Sequence, residues 1–179
     1  MKIGLFGGSF NPPHQGHLHI SKLAIKKLKL DQIWWIPTAH NPFKDKTIYE
    51  NYDERCKRCS ILIQRNPKIH LKKIDEIYTK KLVNNLQNKY KNYQFVWIMG
   101  ADNFERFHQW DYFKNLIKII PFAIFSREQH LLKIRKTKSF SIYQSLKKNK
   151  NSLPQFLIFR TKNLNISSTE IRKNTKNRN

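Results

Sequence analysis

"GLFGGSFNPPHQGHLHI", residues 4–20, sets a pair of glycines, two prolines and three histidines at the seam between an apolar run and a segment of helical periodicity. Read as strand, loop and helix, it is the first βα unit of a parallel sheet. Gly7 and Gly8 would let the backbone turn sharply and come close to a ligand. The N–H groups opening the following helix would face that ligand and attract negative charge. His14 and His17 are three residues apart and share one face of the first helical turn, whereas His19 points away. Gly16, between them, keeps a side chain out of the path of an approaching phosphate. The seam reads as an anion cradle. It lacks the Lys-Ser or Lys-Thr of a Walker A loop, is not G-x-G-x-x-G, and has no third ligand nearby for zinc.

Outward from this unit, "KIGLFG", "QIWWIP", "KIHLKKI", "QFVWIMG", "PFAIF" and "QFLIFR" are short apolar runs that predict strands. Helical periods are predicted at about 14–30, 52–66, 80–90 and 103–118. Such alternation predicts an α/β fold: a doubly wound, mostly parallel sheet with helices on both faces. Ligands of such sheets bind beyond the carboxyl ends of the strands, near the reversal of strand order. The segments to watch are therefore "GGSFNPPHQGH", "PTAHNPFK", "GADN", "SR" and "ISSTEIR". At 179 residues, a single domain over 1–179 is expected, and "LKKNKNSLPQ" reads as a surface connection within it.

The chain is 39% hydrophobic and 13% aromatic, which excludes wholesale disorder. Lys and Arg number 35 against 12 acidic residues, a net charge of +23 that must attract anions; nucleotides, nucleic acid and acidic lipid all qualify. The charge is spread along the whole chain, so a Lys-rich solvated surface explains it at least as well as a polyanion partner. Cys56 and Cys59, in C-K-R-C, lack a second pair to complete a zinc site. "YDERCKRCSILIQRN" reads better as an amphipathic helix whose buried stripe holds Cys56, Cys59, Leu62 and Ile63. No signal-type run precedes "GGSF" and no stretch approaches membrane-spanning length, so a reducing cytoplasm is the expected compartment, with no membrane partner.

Near the other end, "ISSTEIR", residues 166–172, offers Ser167, Ser168 and Thr169 at a helix start, with Arg172 on the next turn. Hydroxyls, backbone N–H groups and a guanidinium in that order can grip phosphate oxygens. Alone, the segment would be an ordinary Ser/Thr cap with a solvated Arg; beside the first cradle, it reads as a second anion clamp.

"GGSFNPPHQGH" resembles the G-x-F-x-P-x-H-x-G-H signature of the nucleotidylyltransferase superfamily, and "ISSTEIR" resembles its I-S-S-T-x-I-R signature. With "GADN" at 100–103 and "FHQW" at 107–110, the chain is most similar to bacterial nicotinate-nucleotide adenylyltransferases, over nearly its whole length. The resemblance implies a Rossmann-like nucleotidyltransferase fold. It also implies adenylyl transfer from ATP to nicotinate mononucleotide, with Mg2+ bridging the triphosphate and pyrophosphate released. On that resemblance His14, His17 and Arg172 are catalytic, and Gly7, Gly8, Ser9, Phe10, Gly100, Asp102, Ile166, Ser167 and Thr169 bind ATP. Asn41, Lys44, Thr79, Trp110 and Arg127 would bind the mononucleotide, Trp110 by stacking on the pyridine ring. Asp102 and Asn103 could instead cap a helix, and Trp110 could be core.

"EIYTKKLVNN" lacks the second Thr of the pattern Y-T-x-x-T-L, and "NPFK" replaces a Pro-Pro-His. "KNTKNRN" leaves no room for the helix that often follows the second signature. These departures touch the acceptor side. Nicotinamide mononucleotide or phosphopantetheine remain alternative acceptors, and a basic RNA-binding protein is the alternative from another class, although no specific nucleic-acid signature is present.

Overall fold

The structure is a computed structural model. It describes residues 1–38, 50–74, 76, 78–147, 152–162, 166 and 168–176, the last four of these in backbone only. Among those residues, six strands form one all-parallel sheet: β1 (Lys2–Gly8), β2 (Gln32–Pro37), β3 (Ile69–Leu71), β4 (Gln94–Gly100), β5 (Phe122–Arg127) and β6 (Phe156–Thr161). Their order is β3-β2-β1-β4-β5-β6, so winding reverses between β1 and β4 and brings Gly8 and Gly100 to the carboxyl edge at that crevice. Each of the six apolar runs is a strand.

The runs are continuous in hydrophobicity because both faces of the sheet are covered. Ile3, Leu5, Trp34, Ile36, Phe95, Trp97, Met99, Phe122 and Ile124 belong to one core layer. The residues between them, Phe6, Ile33, Trp35, Val96, Ile98, Ala123 and Phe125, belong to the other. Helices α1 (Gln15–Leu28) and α2 (Tyr52–Ile63) bury Leu18, Ala24, Leu28, Cys59 and Ile63 in the second layer. The opposite face is covered by α3 (Thr79–Lys89), α4 (Ala101–Glu105), α5 (Phe113–Leu116), α6 (Leu131–Arg135) and α7 (Lys138–Leu146). Helix α8 (Ser168–Lys176) opens within the second signature. This is the helix start expected at Ser168 and Thr169, and it runs on through "EIRKNTK". No helix among the described residues is long and apolar enough to cross a membrane.

The helix expected over 103–118 is instead α4, a single 3-10 turn at Phe107–Gln109, and α5. Phe104, Phe107, Phe113 and Leu116 are all buried at multiples of three residues. An α-helix of period 3.6 would rotate that stripe away from the core, and breaks at Trp110 and Tyr112 keep it aligned. The sequence reading missed α6 and α7, whose Lys-rich exposed faces obscure a short apolar stripe. The buried Ser139 secures α7: its hydroxyl donates to the Phe104 carbonyl at 2.9 Å and accepts from the His108 N–H at 3.0 Å. The altered "YTKKL" segment opens α3, anchored by buried Leu82, Val83 and Leu86.

On β1, Gly7 has a reason other than a turn, since no glycine here has a positive φ. A Cβ at Gly7 would lie 2.5 Å from the Trp97 ring, which is packed and nearly inaccessible. Gly7→Ala should therefore overpack this layer and destabilise the fold by about 1–3 kcal/mol. A thermal melt checks this, and an unchanged midpoint would refute the packing role.

Candidate active site

Beyond β1 the chain turns at Phe10, whose φ of 46° lies in the left-handed region that a bulky residue rarely adopts. Such a conformation costs of order 1–3 kcal/mol and persists only where its surroundings enforce it. Here the enforcement is aromatic. The Phe10 ring, 1% exposed, stacks on Trp35 with centroids 4.7 Å apart and meets Phe6 edge-on at 5.6 Å. The turn expected at Gly7 and Gly8 thus falls at Phe10, with the Asn11–Pro12 peptide cis. Thr38, just past β2, fixes the Gly8 carbonyl with its N–H at 2.9 Å and its hydroxyl at 3.3 Å.

The two histidines build the start of α1 themselves. His14 is the N-cap, and its Nδ1 accepts from the Gly16 N–H at 3.1 Å, while Nδ1 of His17 accepts from the His14 N–H at 3.2 Å. This is a capping box with imidazoles in place of Ser and Glu. With Nδ1 accepting on both rings, each neutral imidazole carries its proton on Nε2. The ring centroids are 3.9 Å apart. Gly16 is explained here too: a Cβ would lie 2.8 Å from the His14 ring, so the missing side chain makes room for that imidazole rather than only clearing a path for a ligand. Below, the Trp35 indole N–H donates to Ser21 Oγ at 2.8 Å, and Ser21 donates to the His17 carbonyl at 2.9 Å, fastening the first turn of α1 to the sheet. That first turn carries no acidic residue, leaving the positive end of the helix dipole unopposed by its own side chains.

The far end of the chain comes to this loop. Arg172 Nη1 donates to the Asn11 carbonyl and its Nη2 to Thr169 Oγ1 at 3.2 Å, while Ser168 Oγ donates to the Pro12 carbonyl at 3.0 Å. Ile166 lies beside Gly16, and its carbonyl accepts from Arg127 Nη2 at 3.5 Å. The His14 pKa is lowered to about 4, by burial first and the Arg127 charge next, against an opposing pull from Glu170. His14 is therefore a neutral donor at physiological pH, and positive charge comes from Arg127, Arg172 and the helix end.

Gly100 and Asp102 lie at the carboxyl end of β4 and the start of α4, Thr79 opens α3, and Trp110 follows the 3-10 turn at Phe107–Gln109. A Cβ at Gly100 would meet nothing within 4 Å, so open space adjoins the carboxyl end of β4. Gly100 itself caps α4 without any side-chain cap bond, so the capping alternative for Asp102 is not what the structure has. Thr79 is the half-buried first residue of α3. The half-buried Trp110 ring meets Trp97 at 6.2 Å and Phe107 at 5.1 Å, both edge-on. Asn41, Lys44 and Ser167 lie outside the described residues. Cys56 and Cys59 are buried free thiols; burial, then Cys56, pushes Cys59 up to about 12, which makes it inert as a nucleophile.

Residues 5–174 match the cytidylyltransferase-like family. The chain belongs to that family. A Methylorubrum extorquens (strain PA1) protein named "Probable nicotinate-nucleotide adenylyltransferase" is 35% identical, with 88% of this chain and 87% of that protein covered. A protein of the same name from Ruegeria sp. (strain TM1040) is 32% identical, with 97% of each chain covered. The structure of Plasmodium falciparum nicotinic acid mononucleotide adenylyltransferase complexed with NaAD superposes with a TM-score of 0.75 over 96% of this chain and 82% of that one. At 22% identity, that is a likeness of fold.

Within this cytidylyltransferase-like fold, the sequence reading missed Arg55 and Ser21. Arg55 lies four residues before Cys59, on the stripe it had filled with Cys56, Cys59, Leu62 and Ile63; the buried residues of α2 are Arg55, Cys56, Cys59 and Ile63. The i, i+4 spacing was the available signal, overruled by the charge of the side chain. For His14 a pH titration is decisive. Its folded pKa lies below the unfolded 6.5, so the unfolded chain binds the extra proton first, and the stability held above pH 6.5 is lost as pH falls towards 4. NMR titration of the His14 ring should show a midpoint near 4, and a midpoint near 6.5 would refute this environment.

Proposed function

We propose that the chain is a nicotinate-nucleotide adenylyltransferase, one catalytic unit that joins nicotinate mononucleotide to the adenylyl group of ATP. It releases pyrophosphate and forms nicotinate adenine dinucleotide. The observation that carries the reading is the meeting of the two signatures: Arg172 and Ser168 bond the carbonyls of Asn11 and Pro12, beside the paired imidazoles. The relatives of that name, matched over 87% and 97% of their lengths, support the same chemistry.

In the reaction, a 5′-phosphate oxygen of the mononucleotide attacks the α-phosphorus in line. A new P–O bond forms as the bond to the β-bridging oxygen breaks, and that electron pair leaves with pyrophosphate. No covalent protein intermediate is needed. The protein must hold two anions together and stabilise the charge that grows on the α-phosphate and the leaving group. His14 and His17 supply Nε2–H donors of fixed orientation for those oxygens. The backbone of Gly8, Ser9 and Phe10 lines the pocket. Arg172, with Ser167 and Thr169, holds the β and γ groups, with Ile166 and Gly7 flanking them. Gly100 leaves room for the adenosine, whose ribose hydroxyls Asp102 accepts. Trp110, Thr79, Arg127, Asn41 and Lys44 are assigned to the acceptor nucleotide.

Mg2+ supplies charge neutralisation of the triphosphate when bound. The ion would arrive on ATP, with phosphate and water ligands. The cytoplasm is the compartment assigned to the reaction in this reading.

With ATP and Mg2+, pyrophosphate release should depend on nicotinate mononucleotide and be slower with nicotinamide mononucleotide; equal or reversed rates would move the acceptor assignment. His17→Ala should lower kcat roughly 100- to 1,000-fold while the protein stays folded, the effect of removing one aimed donor. A folded His17→Ala protein with undiminished kcat would refute the role.

A further inference from the structure

Arg55, on α2, is 1% exposed, among the largest fully buried side chains of the molecule. Its guanidinium reaches three backbone carbonyls from three separate segments. Nη1 donates to Ser9 at 2.5 Å and to Thr38 at 2.9 Å, and Nε donates to Glu50 at 3.1 Å. Each segment is tied in turn to the same loop. Thr38 holds the Gly8 carbonyl, and the Glu50 N–H donates to Asn11 Oδ1 at 3.2 Å, on a residue only 4% exposed whose own carbonyl receives Arg172. A planar fork is the one cationic side chain able to serve three acceptors in fixed directions.

The consequence follows from peptide geometry. The Ser9–Phe10 peptide is trans, so its C=O and N–H point in opposite directions. By drawing the Ser9 carbonyl towards α2, Arg55 turns the Phe10 N–H away from α2. It also sets a buried positive charge behind the loop, where low polarity strengthens its field. Phe10 is the left-handed residue of the turn, so its amide direction is set by Arg55 on one side and by the ring stack on Trp35 on the other.

We infer that Arg55 is a positioning residue for ATP: it never touches the nucleotide, and it aims the Ser9–Phe10 backbone at the triphosphate while supplying charge from behind. The inference rests on the adenylyl-transfer reading above and concerns its ATP side alone.

The test compares wild type, Arg55→Lys and Arg55→Ala by calorimetric titration with Mg-ATP, by steady-state kinetics and by thermal melting. Arg55→Lys keeps the charge but gathers its donors on one nitrogen, which cannot stand where both Nε and Nη1 now donate. It should fold, bind ATP at least about tenfold more weakly and lose roughly 100-fold in kcat, the scale of a displaced binding loop. KM for the mononucleotide should stay within about twofold, since uniform acceptor binding is untouched. In Arg55→Ala, added methylguanidinium should restore part of the ATP affinity and methylammonium should not. If Arg55→Ala fails to fold, Arg55→Lys decides. A Lys variant that melts lower yet binds ATP and turns over like wild type while folded overturns the inference and leaves Arg55 a strut. Wild type that binds ATP but ignores nicotinate mononucleotide sinks the acceptor assignment, and the ATP affinities still decide Arg55. Wild type that binds no ATP overturns both.

Discussion

Two backbone N–H groups at the start of α1, those of His14 and Gly16, are satisfied by imidazole nitrogens, and the arrangement of the site depends on that constraint. Ser, Asp or Glu would cap the helix equally well, but each would end its polar reach there. An imidazole has a second nitrogen on the far side of its ring. Accepting through Nδ1 fixes the proton on Nε2 and the plane of the ring at once, so one bond sets both the tautomer and the aim of the donor. Gly16 belongs to the same device, because its absent side chain is where the His14 ring lies. The helix is thus capped by the groups its dipole would assist.

Such a device works only if the loop before it is stiff, and the loop carries little regular structure. Stiffness is imported from the sheet. Trp35 on β2 is the common support: its face stacks on Phe10, and its N–H reaches the His17 carbonyl through Ser21. Thr38 and Arg55 fix the carbonyls of Gly8 and Ser9 from beneath, and the C-terminal segment closes the far side through Asn11 and Pro12. Buried polar groups of this kind stabilise only when satisfied together, which is why a loop of mixed conformations can be specified at all.

The sheet was legible in the sequence because two-sided burial writes itself as unbroken apolar runs, and "QIWWIP" and "QFVWIMG" coincide with β2 and β4 residue for residue. Chemistry was legible where side chains are unusual for their position, as with His14 and His17. What stayed hidden was set by three-dimensional neighbours. Gly7 looks like a turn residue until Trp97 is seen occupying its face. Arg55 looks like one more surface charge in a chain of +23, because nothing local says that three carbonyls will converge on it. The break-up of the 103–118 helix was written in the spacing of Phe104, Phe107 and Phe113, a period of three that helical templates pass over.

The contrast between overall and local charge bears on how the site treats its anions. Exposed lysines are screened within roughly 8 Å at physiological ionic strength, so the surface charge can raise encounter rates at low salt but does little for bound phosphates. The cations that matter are the few guanidiniums held by carbonyls: Arg55 beneath the loop, Arg127 against Ile166, and Arg172 against Asn11. Each has surrendered part of its donor set to the backbone, which fixes its position and leaves its charge intact. Burial first and Arg127 next lower the affinity of His14 for a proton, so the same cation that would draw a phosphate helps to keep the neighbouring imidazole neutral. Charge and hydrogen bonding are thereby divided between different side chains. The guanidiniums carry the positive charge, and the paired imidazoles, each accepting through Nδ1, present their Nε2–H groups as donors.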